Sequence, residues 1–222
     1  MNNWHRFTDR EMLAEALADE VASNLRDAIA ARGEAWLVVS GGSTPKPFFT
    51  ALRKADLPWS LVTVSVADER WVPIDHDEST EKLVRECLQP DRMFSMTPLE
   101  NESVAEGAAR IDATLRASKQ SPDVVILGMG PDGHTASLFP DHPSHAGVDM
   151  SGSHFCIAVT NSPKPPAERV SLTAPLLCRA QHLYLHMTGE DKREVLERED
   201  ATLPITQVLN TSATSPHIYW AA

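Results

Sequence analysis

Apolar and polar positions along this chain switch between two periods, and the switches mark a succession of helices and strands. Leu13, Leu17, Val21, Leu25 and Ile29 recur every fourth residue, which places them on one face of a long helix. Thr8 with Glu11 just ahead of this run predicts a capping box, and Gly33 predicts the stop. Ala35-Trp36-Leu37-Val38-Val39 is apolar without interruption and reads as a buried strand. Residues 40–45, Ser-Gly-Gly-Ser-Thr-Pro, break it before a helical stretch over 47–55. A β-branched run over 62–67 predicts the next strand. Helices are expected over 78–88 and 103–118, the second opened by a capping box of Ser103 and Glu106. Val124-Val125-Ile126-Leu127 is another buried strand, running into the glycine-rich stretch 128–140. Strands are also expected over 155–159 and 182–187, a helix over 190–199, and an edge strand over 217–220. Residues 161–166, Asn-Ser-Pro-Lys-Pro-Pro, form an extended, proline-stiffened connector to 168–172.

Strands that alternate with helices in this way predict an α/β protein with a parallel sheet. The 222 residues suffice for one sizeable domain with a substantial core, and no internal repeat or low-complexity tract divides residues 1–222. The formal net charge of -11 argues against a nucleic-acid partner, although a few basic residues gathered in one cleft could still hold a small anion. Cys87, Cys156 and Cys178 are odd in number and lack C-x-x-C spacing. Neither a disulfide framework nor a zinc site is expected, and each is most simply a small buried hydrophobe. No signal-peptide pattern or membrane-span-length apolar stretch is present, so a cytoplasmic location without a membrane partner is expected.

Three stretches at strand ends carry candidate chemistry. In Leu-Gly-Met-Gly-Pro-Asp-Gly-His, residues 127–134, Asp132 and His134 are two apart and could face one cavity, the carboxylate holding the imidazole in a single tautomer. Strand, glycine loop and helix around 40–45 offer free N–H groups to an anion, but the spacing is neither a P-loop nor a dinucleotide fingerprint. Asp68-Glu69-Arg70-Trp71 brings two carboxylates, a cation and an indole to a third strand end. Each stretch alone also fits a plain turn or a local salt bridge. Along one edge of a parallel sheet, however, the three would meet in one crevice. Lys192 stands in the first turn of a helix, where the macrodipole disfavours a cation, which hints at use. The remaining histidines, His186 among them, show no metal-ligand spacing and are expected at the surface or in packing.

The ordered segments S-G-G-S-T-P, A-D-E-R-W-V-P and G-M-G-P-D-G-H-T-A-S-L-F-P, followed by S-P-K-P-P-A-E-R-V-S-L and T-G-E-D-K-R-E-V-L, resemble the 6-phosphogluconolactonase family from about Val38 to the C-terminus. The resemblance implies a mostly parallel, Rossmann-like sheet flanked by helices. It also implies hydrolysis of 6-phospho-D-glucono-1,5-lactone in the pentose phosphate pathway without metal or organic cofactor. His134 would be the general base and Asp132 its orienting partner. Gly41, Gly42, Ser43 and Thr44 would line the sugar-phosphate site, with Arg70, Arg169 and Lys192 supplying positive charge and Asp68 near the substrate. One departure is visible: the family usually has Ser-Asn where this chain has Ser79-Thr80. The partner implied is a small phosphorylated sugar lactone, and a monomer or weak homodimer is expected.

A glucosamine-6-phosphate deaminase or sugar-phosphate isomerase is similar in fold and in the D-G-H core. That family continues G-H-I-A-F-N-E-P, whereas this chain has Ser137, Leu138 and Phe139 there, leaving the glutamate position apolar. The deaminase tyrosine after D-E is Arg70 here. A non-catalytic sugar-phosphate sensor would be expected to lack the base or carry an added interaction domain. His134 is present and the chain has no spare segment.

Overall fold

The computed structural model describes residues 3–222. Its main layer is a seven-stranded sheet, every neighbouring pair of which is parallel. The strands are β1 (Asn3–Phe7), β2 (Ala35–Val39), β3 (Val62–Val66), β5 (Arg92–Met93), β6 (Val124–Leu127), β9 (His182–Thr188) and β10 (His217–Ala221), in the spatial order β1-β10-β9-β6-β2-β3-β5. Every residue of β2 and β6 is buried, as expected for parallel strands covered on both faces. A second, antiparallel sheet joins β4 (Asp68–Arg70), β8 (Arg169–Leu172) and β7 (Cys156–Val159).

Helix α1 (Arg10–Arg32) buries Leu13, Leu17, Val21 and Leu25 as its four-residue spacing predicts, and Ala14, Ala18 and Ala22 widen that stripe with small side chains. Its N-cap is Asp9, whose carboxylate accepts from the Met12 N–H at 2.7 Å; the Thr8 hydroxyl instead contacts the Met12 sulfur. The N-cap therefore shifts by one residue from Thr8 to Asp9 and no reciprocal box forms, because N3 is then Met12; the carboxylate satisfies the free donor instead. Gly33 ends α1 in the left-handed region at φ 84°, with its N–H on the Ile29 carbonyl. Helices α2 (Lys46–Leu52), α3 (Thr80–Cys87), α4 (Val104–Ser118) and α6 (Glu190–Glu197) fall where the pattern places them, and the Ser103/Glu106 capping box is present. A short α5 (Ala174–Leu177) and α7 (Pro204–Thr211) complete the set.

Three expectations change. The C-terminal strand β10 is interior, paired with β9 and β1, and the edge belongs to β1. Residues 68–70 do not simply trail from β3 but form β4 of the second sheet. The strand over 155–159 belongs to that sheet too, as β7. Cys156 and Cys178 are buried and Cys87 is half-buried; all three are free. Among the described residues, no helix is long and apolar enough to cross a membrane.

The sheet order reverses between β2 and β6. From β2 the chain proceeds outward through β3 to β5, then returns to build β6 and β9 on the other side. The loops leaving β2 and β6 therefore part at their carboxyl ends and open a crevice, the position where α/β sheets bind ligands.

Candidate active site

The crevice at this switch point is a cleft of about 250 Å³. On one wall lie Gly41, Gly42, Ser43 and Thr44 from the loop after β2; Gly42 adopts φ 99°, which only glycine takes without strain. Opposite stands His134, from the loop after β6. Asp68 and Arg70 of β4, Arg169 of β8 and Lys192 of α6 close the remaining sides. The cleft thus gathers every residue nominated from the sequence except Asp132, which sits behind His134.

The β6 loop is tied to its surroundings by main-chain bonds that set the imidazole's position. Gly130 N–H donates to the His134 carbonyl at 3.0 Å, and Gly133 N–H to the Gly130 carbonyl at 3.0 Å. The Thr135 hydroxyl donates to Gly128 O at 2.8 Å, and Ser40 Oγ accepts from the Gly128 N–H at 3.2 Å, which joins the two loops. The start of α7 braces the turn, since Ile205 N–H donates to Gly133 O at 3.1 Å. Within this turn the ring lies back over Gly130, where a Cβ would overlap both the imidazole and Asp132 Oδ1.

The Asp132 carboxylate bonds Nδ1 of His134, leaving Nε2 as the free nitrogen of a neutral ring. Burial pushes His134 below 6.5, and Lys164 adds to this against the opposing pull of Asp132 and Asp68. Asp132 is raised by burial, but His134 and Lys164 outweigh that and hold its carboxyl below the usual range. The Phe139 ring lies 4.7 Å from the imidazole and dries one side of it.

The basic residues differ in how free they are. Arg169, 5% exposed, donates to the carbonyls of Lys164 (3.0 Å), Pro165 (2.8 Å) and Pro166 (3.2 Å) and to Ser137 Oγ (3.4 Å), with Asp68 Oδ2 at 3.8 Å. Most of its donors are thus spent on the protein. Arg70 Nη1 donates to the Glu78 carbonyl at 2.7 Å, while its Nε is buried without an acceptor. Lys192 has its amine lowered by burial, with Lys164 and Arg10 adding to the effect and Asp191 opposing it.

Glu69 is not part of the cleft. Fully buried, it accepts from the N–H groups of Arg70 (2.8 Å), Thr80 (2.7 Å) and Glu81 (2.7 Å) and from the Ser79 hydroxyl (3.1 Å), and so caps α3. Trp71 packs over Gly107 of α4 and donates to Glu102 O at 3.1 Å.

Sequence reasoning missed several contributors. His186, expected at the surface or in packing, is buried to 5% exposure against Phe48 and also lines the cleft, its Nδ1 unpartnered and its pKa pushed to about 4 by burial, then by Lys192. Its signal was its place near the end of a strand, just before the Thr-Gly-Glu-Asp-Lys segment. Thr80, the point of departure from the family pattern, also lines the cleft and packs so closely on Gly41 that a Cβ there would come within 2.6 Å of its methyl. Lys164 lies beside the histidine–aspartate pair. Among the described residues no cluster of three metal-ligating side chains is present.

An imidazole with one nitrogen engaged by a carboxylate, facing a glycine loop across a topological switch point, marks an α/β protein with a small-ligand cleft at the carboxyl edge of its parallel sheet. Residues 8–220 match the family model described as glucosamine-6-phosphate isomerases/6-phosphogluconolactonase. A 6-phosphogluconolactonase of Rhizobium meliloti is 42% identical over 99% of this chain and 98% of its own length. One from Neisseria meningitidis is 36% identical over 98% of both. The crystal structure of a 6-phosphogluconolactonase from Shewanella baltica, 34% identical, superposes with a TM-score of 0.91 over 100% of this chain and 98% of that one. The chain belongs to the glucosamine-6-phosphate isomerase/6-phosphogluconolactonase family.

Proposed function

We propose that this protein hydrolyses 6-phospho-D-glucono-1,5-lactone to 6-phospho-D-gluconate, the lactone-opening step of the pentose phosphate pathway. The observation that carries the reading is His134, its Nδ1 held by Asp132 and its free nitrogen at a cleft that also contains the glycine loop and Lys192. A δ-lactone is an activated ester, so a deprotonated water suffices and no covalent nucleophile is needed. Nε2 of His134 takes the proton of water as hydroxide adds to the carbonyl carbon. The proton then passes to the departing ring oxygen, and the ring opens to the acid. General-base assistance of this kind contributes ~10²–10⁴-fold.

The 6-phosphate is assigned to Gly41, Gly42, Ser43 and Thr44 together with Lys192. That arrangement anchors the substrate away from the reacting carbon and fixes its approach. Arg70, Arg169 and Asp68 border the sugar ring. The reaction as written asks for no metal or organic cofactor. A cytoplasmic monomer or weak homodimer accompanies this reading.

Phe139 favours the lactonase over the deaminase. It occupies the position of the deaminase glutamate and places an apolar ring against His134, where a proton relay would need a carboxyl group. The test is a direct assay on freshly made 6-phosphogluconolactone, following acid release above the spontaneous rate. His134→Ala is expected to lose most turnover with little change in binding. Ammonia release from glucosamine 6-phosphate, or near-normal turnover by His134→Ala, would remove the reading.

A further inference from the structure

The connector between β7 and β8 reaches over the catalytic loop and delivers one charged group to it. Lys164 Nζ lies 3.3 Å from Asp132 Oδ2 and 3.4 Å from His134 Nδ1. Asp132 therefore meets two partners at once, its Oδ1 taking the imidazole and its Oδ2 the ammonium. The connector does not hang free: Arg169 binds three consecutive carbonyls, those of Lys164, Pro165 and Pro166, with Nε and Nη2. Arg169 is itself fixed by burial, by Ser137, whose hydroxyl donates to Asp68 Oδ2 at 2.5 Å, and by the Phe139 ring, 5.7 Å from its guanidinium carbon.

We propose that Lys164 is a positioning residue for the hydrolysis: its ammonium pins the outer oxygen of Asp132 so that the inner oxygen stays on His134 Nδ1, and Arg169 acts through it by clamping the backbone that carries it. The role rests on the lactonase reading above, because it presupposes that His134 is the base. A carboxylate free to rotate would release the ring from one orientation. A second cation beside Nδ1 also disfavours a resting imidazolium, so the base stays ready for the proton of water. The charged groups facing His134 are Asp132 from its own loop, Lys164 from the connector and Asp68 from β4, with Arg169 of β8 beside Asp68. Lys192 across the cleft is near enough to Lys164 for that cation to help lower its amine.

The test compares Lys164→Met, which keeps the length of the side chain and removes its charge, with Lys164→Arg. Two readouts are taken: titration of the His134 ring by NMR without substrate, and kcat, KM and the pH profile of lactone hydrolysis. Removing a neighbouring cation raises the affinity of the ring for a proton, so Lys164→Met is expected to move the His134 titration and the acidic limb of kcat/KM upward by roughly half a pH unit or more. It should also lower kcat about tenfold with KM changed less than about threefold, as expected for loss of orientation rather than of binding. Lys164→Arg should restore most of both. An unmoved titration in Lys164→Met overturns the proposal, as does a KM rise of about tenfold with kcat intact, which would make Lys164 a substrate-binding cation instead. Absence of lactone turnover in the unaltered protein would remove the functional reading, while the NMR titration would still report on Lys164.

Discussion

Gly130 offers a way to displace the proposed base, His134, without substituting it. Its φ is not in the left-handed region, so the backbone accepts alanine, but the added Cβ would overlap the imidazole and lie 2.5 Å from Asp132 Oδ1. Ordinary carbon contacts need roughly 3.5–4.0 Å, so Gly130→Ala must push the ring aside by about 1 Å or more. A misplacement of about 1 Å costs on the order of 10²-fold in rate, so kcat should fall by about that factor. KM should change little, because the loop after β2 and Lys192 are untouched. Stability should fall by about 1–3 kcal/mol, the usual cost of an overpacked side chain, with the ~0.4–1 kcal/mol gained by restricting the unfolded chain offsetting only part of it. The assay is acid release from fresh lactone, with urea unfolding as the stability control. A double-mutant cycle sharpens it. If Gly130→Ala acts only by displacing His134, adding it to His134→Ala should cost nothing further. Retention of kcat within about threefold in Gly130→Ala, or losses that multiply in the double variant, would refute the reasoning.

Other outcomes follow from the same geometry. Because burial lowers His134 below 6.5, its neutral form persists to lower pH than a free imidazole, and the acidic limb of kcat/KM should lie below pH 6.5; a limb above that value contradicts the placement. Lys192→Met should raise KM for the phosphorylated lactone about tenfold or more, from a lost charge-assisted bond worth ~1.5–3 kcal/mol, while leaving unphosphorylated gluconolactone unaffected. Burial raises Glu69 from 4.5 to about 6 against the backbone bonds it accepts, so between those values the folded state binds more protons than the unfolded one. Stability from this group is therefore lost as pH rises through that window, by about 2 kcal/mol at ~1.36 kcal/mol per unit. Urea unfolding of Glu69→Gln and the unaltered protein, compared at pH 4.5 and 7, should show that difference narrowing at the higher pH.

The order of helices and buried strands could be read from periodicity because those elements are long or uniformly apolar, as with α1 and β2. The strands that were missed or misplaced lack that signal. β1 (Asn-Trp-His-Arg-Phe) and β4 (Asp-Glu-Arg) are polar, and pairing partners elsewhere in the chain make them strands. β10 looks like an edge because it is short and lies near the end of the sequence, yet a polar strand covers its outer side. In the site, glycines, the Asp–x–His pair and Lys192 stood out by local chemistry. Lys164 and His186 did not, since a lysine in a proline-rich connector and a histidine in a strand acquire their roles only through tertiary neighbours.

The burial of β10 between β9 and β1 ties this strand to the helix that carries Lys192. Gly189, which opens α6, donates its N–H to Ala221 O at 2.9 Å, and its carbonyl accepts from Trp220 Nε1 at 2.9 Å. The helix carrying Lys192 is thus moored to residues 220 and 221, which leave the ribosome after every residue that lines the cleft. During synthesis β1 waits until residues 217–221 have been made before its neighbour arrives, and the start of the lysine-bearing helix gains its anchor in the same event. A nascent chain stalled short of residue 217 would hold the histidine, the aspartate and the glycine loop, yet lack the ties that bring Lys192 to them.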